Sequence, residues 1–115
     1  MTITLYGIAN CDTIKKAKKW LEAQGIEYQF HDYRKNGIDQ VLVNTFCQQL
    51  GWENVLNKRG TTYRQLSEKQ KASINEQSVV DLLVEYPAMI KRPILNKQGQ
   101  YTLGFKAEQY QTIFE

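Results

Sequence analysis

The chain has 115 residues, of which 42% are hydrophobic and 23% charged. This composition is typical of one soluble globular domain with its own hydrophobic core, and it excludes a largely disordered chain. Fifteen basic against twelve acidic residues give a net charge of +3, which is too small to predict nucleic-acid binding by itself. With two cysteines, no C-x-x-C pair and one histidine, the sequence predicts neither a structural zinc site nor a Cys-His or Ser-His-Asp catalyst.

Two features of the sequence bear on where the protein works. The N-terminus lacks the basic start and apolar core of a signal peptide, and no apolar run approaches the roughly 20 residues that span a bilayer. Two cysteines in a domain that needs no disulfide suit a reducing compartment. We therefore expect a cytoplasmic protein with no membrane partner and no bound metal.

The first third of the chain predicts a strand, a helix and a second strand. Alternating apolar residues favour one strand over Thr2 to Tyr6 and another over Glu27 to Tyr33. Between them, apolar residues recur at helical spacing from Asp12 to Gln24, and Gly25 supplies a left-handed helix end. The turn dipeptide Asn36-Gly37 is expected to break the second strand. This order predicts parallel neighbours in one sheet.

The middle of the chain predicts a helix followed by a loop. Ile38 to Leu50 repeats apolar residues every four positions, a pattern that Val41 supports, and the helix is expected to stop at Gly51. Trp52 to Arg64 has no clean period and is expected to be mostly loop.

The last third predicts short helices, a hairpin and a closing helix. A capping box over Ser67 to Gln70 begins one short helix, and Asn75 to Glu85 forms another that Asn75 caps. Two extended segments, Pro93 to Asn96 and Tyr101 to Leu103, flank a turn and read as a hairpin. Lys106 to Phe114 has an apolar side and is expected to be a helix.

Together these elements predict an α/β fold. A β-α-β unit, helices and a closing β-β-α segment give a thioredoxin-like (glutaredoxin-like) mixed sheet with an inserted helical subdomain. We expect a single domain over residues 1–115. Its thioredoxin-like core would cover about 1–36 and 86–115, and the helical insertion about 37–85.

Cys11 is the residue with the clearest chemical promise. It follows the first strand and opens the first helix, so its thiol would face unpaired backbone N–H groups and the positive end of the helix dipole. Both favour the thiolate. A buried, inert thiol in the same turn is the alternative. Cys47 lies well inside the second predicted helix, and we expect it to be inert.

Positive charge gathers in two segments that contain no acid, between Asn54 and Ser67 and between Tyr86 and Ala107. If these segments meet in space they suit a small anion, although scattered solvated lysines would give the same composition. Arg92 precedes Pro93 at the entry to the hairpin, which would bring its guanidinium near the first strand, and Arg92–Pro93 is a candidate cis bond. A solvated arginine before a trans proline is the alternative.

Five segments occur in a characteristic order: Gly7-x-x-x-Cys11-Asp-Thr-x-Lys-Lys-Ala17, Asp32-Tyr-Arg-Lys35, Gly51-Trp-Glu53, Asn57-x-Arg59-Gly-Thr-Thr-Tyr-Arg64 and Ile90-Lys-Arg-Pro93-Ile-Leu95. In this order and spacing the chain resembles the ArsC-like (arsenate reductase-related) family, in particular its YffB branch, which is related to Spx-type proteins. The resemblance runs from Tyr6 to Gly104 and beyond. It implies a thioredoxin-like fold with a helical insertion, and a cis proline at Pro93.

The resemblance also implies roles for individual residues. Cys11 would be the nucleophile, and Arg59 and Arg92 would bind an oxyanion or a carboxylate. Asn10 and Thr13 adjoin the thiol and are candidate substrate-binding residues, with Thr13 a hydrogen-bond donor to the thiolate. Glutathione would be the co-substrate, as in the inferred activity of the YffB branch.

Two departures from the family pattern bear on function. Arsenate reductases of the family carry a third arginine in a Gly-Arg-Pro motif, where this chain has Gly104-Phe105-Lys106. Lys106 would supply charge there but not a bidentate fork. Oxidation-sensing Spx-type regulators use C-x-x-C, and the second position here is Ile14.

These residues rank the functional hypotheses. A glutathione-dependent monothiol reductase with a small anionic or thiol substrate comes first, with a mixed disulfide on Cys11 that glutathione resolves. A Spx-like, non-enzymatic protein that docks on a larger protein partner is the alternative. Arsenate reduction ranks lower, and direct nucleic-acid binding lowest. The sequence identifies neither the physiological substrate nor the oligomeric state.

Overall fold

A computed structural model describes residues 2–115. The chain divides into two compact units: unit 1 comprises residues 2–36 and Arg92–Glu115, and unit 2 comprises Gly37–Lys91. Within the described residues, no helix is both long and apolar enough to cross a membrane.

Unit 1 is a four-stranded mixed sheet with helices. Its strands are β1 (Ile3–Gly7), β2 (Gln29–Asp32), β3 (Ile94–Lys97) and β4 (Gln100–Leu103), in the spatial order β2-β1-β3-β4. β1 runs parallel to β2 and antiparallel to β3, with Leu5 opposite both Phe30 and Leu95. The β-α-β unit and the closing hairpin therefore form one thioredoxin-like sheet, as predicted.

Two helices of unit 1 contribute to the core on one face of this sheet. They are α1 (Asp12–Ala23) and α8 (Ala107–Ile113). The buried cluster joins side chains from β1, β3 and both helices: Ile3, Leu5, Ala17, Leu21, Leu95 and Tyr110. Gly25 ends α1 with a φ of +69°, which confirms the predicted left-handed position. The core on this face sets the position of α1 and hence of its first turn.

The second strand is shorter than predicted. It ends at Asp32, and Tyr33 begins a helical turn, α2 (Tyr33–Asn36). The carboxylate of Asp32 accepts the N–H of Arg34 at 2.9 Å, and the side-chain oxygen of Asn36 accepts the N–H of Asp32 at 3.0 Å. These local hydrogen bonds turn the backbone four residues before the predicted Asn36-Gly37 break.

Unit 2 is helical. It contains α3 (Gln40–Leu50), α4 (Trp52–Val55), α5 (Thr61–Arg64), α6 (Glu68–Ala72) and α7 (Ser78–Glu85), followed by a 3-10 turn over Pro87–Met89. Its most buried side chains include Val43, Phe46, Val55, Leu56, Val79, Leu83, Met89 and Ile90. The capping box at Ser67 and Gln70 is present, which confirms the first predicted helix start. The second helix begins at Ser78, later than the predicted Asn75, although the Asn75 side chain accepts the N–H groups of Gln77 and Ser78 just before it.

Two expectations for unit 2 were wrong. Val41 is 76% exposed, because α3 buries the row of Val43 and Phe46, which lies on the opposite side of the helix from Val41. The segment 52–64 is not mostly loop, since it holds α4 and α5. A one-turn helix is too short to show an apolar period, and for that reason the pattern was missed.

The second boundary of unit 2 lies at Lys91, whereas the predicted insertion ended near residue 85. Leu56 and Ile90 form an antiparallel bridge, Asn57 N–H donates to Met89 O at 2.8 Å, and Lys91 N–H donates to Val55 O at 2.8 Å. These backbone bonds hold residues 89–91 to the end of α4. The assignment of the whole chain to one domain stays a prediction.

Candidate active site

Cys11 occupies the N-cap of α1. β1 ends at Gly7, a loop follows, and Cys11 has an extended backbone with φ −143° and ψ 128° before α1 begins at Asp12. Its carbonyl accepts the N–H of Lys15 at 3.0 Å, the first bond of the helix. The thiol is free and half-exposed. It therefore lies where the first turn of a helix presents N–H groups without helical partners.

The surroundings of Cys11 lower the pKa of its thiol. Burial alone would raise the pKa, but the N–H of Ile14, the guanidinium of Arg92 and the N–H of Thr13 all favour the thiolate and outweigh burial. Arg92 contributes through a hydrogen bond and through its charge. Cys11 is thus a thiol whose position favours ionisation.

Arg92 reaches Cys11 because β3 pairs with β1. Tyr6 of β1 lies opposite Ile94 of β3, so the residue two positions before Ile94 lies beside the end of β1. An added Cβ at Gly7 would be 3.7 Å from the Cβ of Arg92. The Arg92–Pro93 peptide bond is cis, and Pro93 is buried. The predicted cis bond is confirmed, and Arg92 and Cys11 lie together as predicted.

Gly7 permits the close approach of α1 to the end of β1. A Cβ at this position would clash with the Cδ1 of Ile14, which is fully buried. Ile14 is also the residue whose backbone N–H stabilises the Cys11 thiolate. The missing side chain of Gly7 therefore helps to place the first turn of α1 beside Arg92.

A tyrosine that the sequence did not single out flanks this arginine. Tyr33 is buried, and its pKa is raised, chiefly by burial and further by Tyr6, whereas the positive charge of Arg92 acts in the opposite direction. The ring of His31 lies 5.2 Å from that of Tyr6 and 6.0 Å from that of Tyr33. The signal that could have pointed to this tyrosine is the cross-strand pairing of Tyr6 with His31. That pairing depends on the register of β1 and β2, which the sequence does not give.

Of the other predicted site residues, Thr13 is the one in unit 1 that acts on the Cys11 thiol. Asn10 is exposed in the loop before Cys11, and Lys106 is exposed at the N-cap of α8. Thr13 takes part through its N–H, and the role of its hydroxyl stays a prediction. Arg59 belongs to unit 2, where its N–H donates to the side chain of Asn57 at 3.0 Å, and its predicted oxyanion role also stays a prediction.

Cys47 has a different environment. It lies in the last turn and a half of α3, half-buried, and the pKa of its thiol is raised by burial and by the nearby charge of Glu76. Among residues 2–115, no group of three or more His, Cys, Asp or Glu side chains is arranged to hold a metal ion. The two cysteines thus differ in the direction in which their surroundings shift the thiol pKa.

Comparison with known proteins matches nearly the whole chain. The family model described as "ArsC family" matches residues 6–113. A solved structure of a YFFB protein is 45% identical, with a TM-score of 0.92 over 96% of this chain and 97% of its own. An arsenate reductase (ArsC) related protein from Brucella melitensis is 44% identical, with a TM-score of 0.80 over 100% and 96%. The global transcriptional regulator Spx 2 of Bacillus anthracis is 28% identical over 93% of this chain and 82% of the regulator.

Proposed function

Because this chain is a member of the ArsC family, we propose that it is a glutathione-dependent thiol reductase in which Cys11 is the nucleophile. The observation that carries the proposal is the lowered pKa of Cys11 at the start of α1, beside Arg92. The thiolate is the form of cysteine that attacks disulfides, and a helix N-terminus next to a guanidinium is the environment that favours it. Arg92 would also hold a carboxylate or oxyanion of the substrate.

The reaction would take place in two thiol–disulfide exchanges. The Cys11 thiolate attacks the glutathione sulfur of a mixed disulfide, forming a bond to that sulfur while the substrate leaves as a thiolate that takes up a proton. The thiolate of a second glutathione then attacks the same glutathione sulfur, which releases oxidised glutathione and regenerates the Cys11 thiolate. Overall, the substrate sulfur is reduced from disulfide to thiol and one glutathione thiol is oxidised, since the other half of the oxidised glutathione enters as part of the mixed disulfide.

A single active thiol requires the second thiol to come from a soluble molecule. The position three residues after Cys11 is Ile14, which is fully buried in the first turn of α1, and Cys47 has a raised pKa. Neither residue supports an internal resolving thiol. Glutathione as the resolving thiol is consistent with this arrangement and with the implied activity of the YffB branch.

Intact-mass analysis after exposure to oxidised glutathione tests this proposal. We expect one glutathione adduct per chain, located on Cys11 by peptide mapping, and its removal by excess reduced glutathione. The matched variants are Cys11→Ser, which should form no adduct, and Cys47→Ser, which should form the adduct at the parent rate. An adduct that forms equally well on Cys47 would contradict the assignment of Cys11 as the nucleophile.

A Spx-like docking role is the second candidate. The similarity to a transcriptional regulator over 93% of this chain favours it, while Ile14 in place of a second cysteine argues against a disulfide switch. The two roles differ in their need for the thiol. A partner retained stoichiometrically by both the parent and Cys11→Ser, together with no adduct from oxidised glutathione, would favour docking over catalysis.

Arsenate reduction is a third, lower-ranked candidate. The place of the third arginine in the family's arsenate reductases is taken here by Lys106, which is exposed at the N-cap of α8. An ammonium group cannot form the bidentate contact of a guanidinium with an oxyanion. Turnover of arsenate with glutathione is therefore expected to be much slower than turnover of mixed disulfides, and a coupled NADPH assay compares the two rates directly.

A further inference from the structure

Unit 2 contains an open cleft at which most of the lining side chains are charged. Its volume is about 340 Å³, within the ~300–1,000 Å³ range of small-molecule sites. Three cations and one carboxylate line it, with an apolar side chain at its base: Lys58, Arg59, Lys91, Glu53 and Leu56. This lining differs from a flat basic surface because the charged residues share one cleft.

Hydrogen bonds fix the backbone around the cleft. The bridge between Leu56 and Ile90 lies between two hydrogen bonds of 2.8 Å, from Asn57 N–H to Met89 O and from Lys91 N–H to Val55 O. Leu56 and Ile90 are both almost fully buried. The Asn57 side chain accepts the N–H of Arg59 at 3.0 Å, which fixes the following turn. The backbone positions of Lys91 and Arg59 are therefore fixed by hydrogen bonds, the first to a backbone carbonyl and the second to the Asn57 side chain.

The charges of the cleft are not neutralised by one another or by other side chains of residues 2–115. Lys58, Arg59 and Lys91 are exposed, and among residues 2–115 none of them forms an ion pair with a carboxylate. Glu53 lies in the same cleft but is not within ion-pair distance of a described cation. Three separate positive charges and one negative charge are thus available to a ligand.

We infer that this cleft binds the charged ends of glutathione, an inference that rests on the proposed function for the identity of the ligand. Glutathione carries two carboxylates and one ammonium group, which complement the cleft's cations and its one carboxylate. The lysines and Arg59 would bind the carboxylates, and Glu53 would accept hydrogen bonds from the ammonium. Leu56 would contact the aliphatic part of the peptide. The ligand class is a zwitterionic peptide with two carboxylates, not a simple inorganic anion.

S-methylglutathione tests this inference because it keeps every charge of glutathione and lacks the free thiol. The ligand would be titrated, up to millimolar concentration, into the ¹⁵N-labelled full chain carrying Cys11→Ser. Binding would be followed by the chemical shifts of the backbone amides in NMR spectra. We expect the shift changes to centre on residues 53–59 and 89–91. Lys58→Gln and Lys91→Gln should each raise the dissociation constant about two- to fivefold, the effect of one exposed charge pair. The matched control Lys69→Gln, an exposed lysine of α6, should leave it unchanged.

The role of Glu53 has its own test. Glu53→Gln should weaken the binding of S-methylglutathione about two- to fivefold. The same variant should bind at least as tightly as the parent an analogue in which glutaryl replaces γ-glutamyl, because that analogue has no ammonium group. The diethyl ester of S-methylglutathione should bind more weakly than its parent. Shift changes confined to other residues, no binding at millimolar ligand, or equal effects of Lys69→Gln and Lys91→Gln would overturn the inference.

The test of cleft binding and the test of the proposed reductase can fail independently of each other. Adduct formation on Cys11 is measured by mass in the parent protein, and cleft binding is measured in a variant that cannot form the adduct. An adduct without cleft binding would overturn the cleft assignment and leave the nucleophile supported. Binding without any adduct would support the cleft as a peptide site and contradict the reductase.

Discussion

Cys11 and Cys47 are both free and both half-exposed, but the groups that act on their thiols differ. Burial raises the pKa of each. At Cys11, two backbone N–H groups and the guanidinium of Arg92 more than offset burial, whereas at Cys47 the charge of Glu76 adds to it. One residue begins a helix and the other lies inside one. Exposure therefore does not decide which thiol has the lower pKa, and the placement of donors and charges does.

The difference has a simple structural origin. The first turn of a helix has N–H groups without helical acceptors, whereas those inside the helix are already bonded to carbonyls. Cys11 is in the first environment and Cys47 in the second. The charge that acts on Cys11 is the positive charge of Arg92, whereas the charge that acts on Cys47 is the negative charge of Glu76. Each prediction below removes or alters one part of this contrast.

The largest effect is expected from Cys11→Ser. A serine hydroxyl is not ionised at neutral pH and does not exchange with disulfides, so reduction of a glutathione mixed disulfide should fall to the rate of glutathione alone. The assay couples oxidised glutathione to NADPH consumption. Cys47→Ser should keep the parental rate. If Cys11→Ser kept most of the activity, the contrast between the two thiols would have no functional meaning.

Arg92→Gln should reduce the contrast without removing the thiol. Loss of the hydrogen bond and of the charge raises the pKa of Cys11, and because each pKa unit changes the thiolate fraction tenfold, alkylation at about pH 7 should slow by roughly three- to tenfold. The alkylation rate rises with pH, reaches half of its maximum at the pKa and levels off above it, so the midpoint and the plateau should move to higher pH. The alkylation rate of Arg92→Lys at about pH 7 should lie between those of the parent and Arg92→Gln. An unchanged pH profile would show that Arg92 does not act on the thiol.

Gly7→Ala should act on the same thiol through the position of α1. The added Cβ clashes with Ile14, and overpacking of this kind costs about 1–3 kcal/mol of unfolding free energy. The displaced first turn should also raise the pKa of Cys11. Denaturant unfolding and the alkylation profile measure the two effects.

Gly60→Ala is the matched control for Gly7→Ala. Gly60 likewise has no positive φ, and its added Cβ would meet the side chain of Asn57, with the amide nitrogen nearest at 3.3 Å. We expect a smaller loss of stability and an unchanged Cys11 profile. Equal losses for the two variants would mean that the close approach at Gly7 has no special importance.

The smallest effect is expected at the other cysteine. Glu76→Gln removes a negative charge that raises the pKa of Cys47, so alkylation of Cys47 near pH 8 should accelerate, by less than about twofold because Glu76 is exposed and screened. Glu85→Gln, which alters an exposed carboxylate of α7 not described as acting on Cys47, is the control. An effect on Cys11 of similar size would show that the influence of Glu76 is not local.

Much of unit 1 follows from local sequence signals. Apolar alternation and helical spacing predicted β1, α1 and the hairpin, and Gly25 marked the end of α1 because a left-handed residue is required there. Cys11 was found because it comes directly between a strand and a helix. Such signals are reliable where the element is long enough to repeat its pattern.

Unit 2 shows where those signals fail. The one-turn helices α4 and α5 have no period to detect, and α4 is held at its end by backbone bonds to residues more than 30 positions away. The four-residue spacing of α3 identified the row that contains Phe46 and counted Val41 in its support, but packing within unit 2 buries Val43 and leaves Val41 exposed. The missed elements thus depend on contacts that are distant in sequence.

The sequence by itself determined the fold class, the family and the position of the candidate nucleophile, because strand and helix periodicity, helix caps and ordered motifs are local properties. Only the tertiary structure decided which groups act on that thiol. Arg92 follows Cys11 by 81 positions and reaches it through the pairing of β3 with β1, and Gly7 matters through its contact with Ile14. The charged cleft of unit 2 likewise depends on a backbone bridge between residues 56 and 90. A pKa is set by distances in space, and sequence spacing does not supply them.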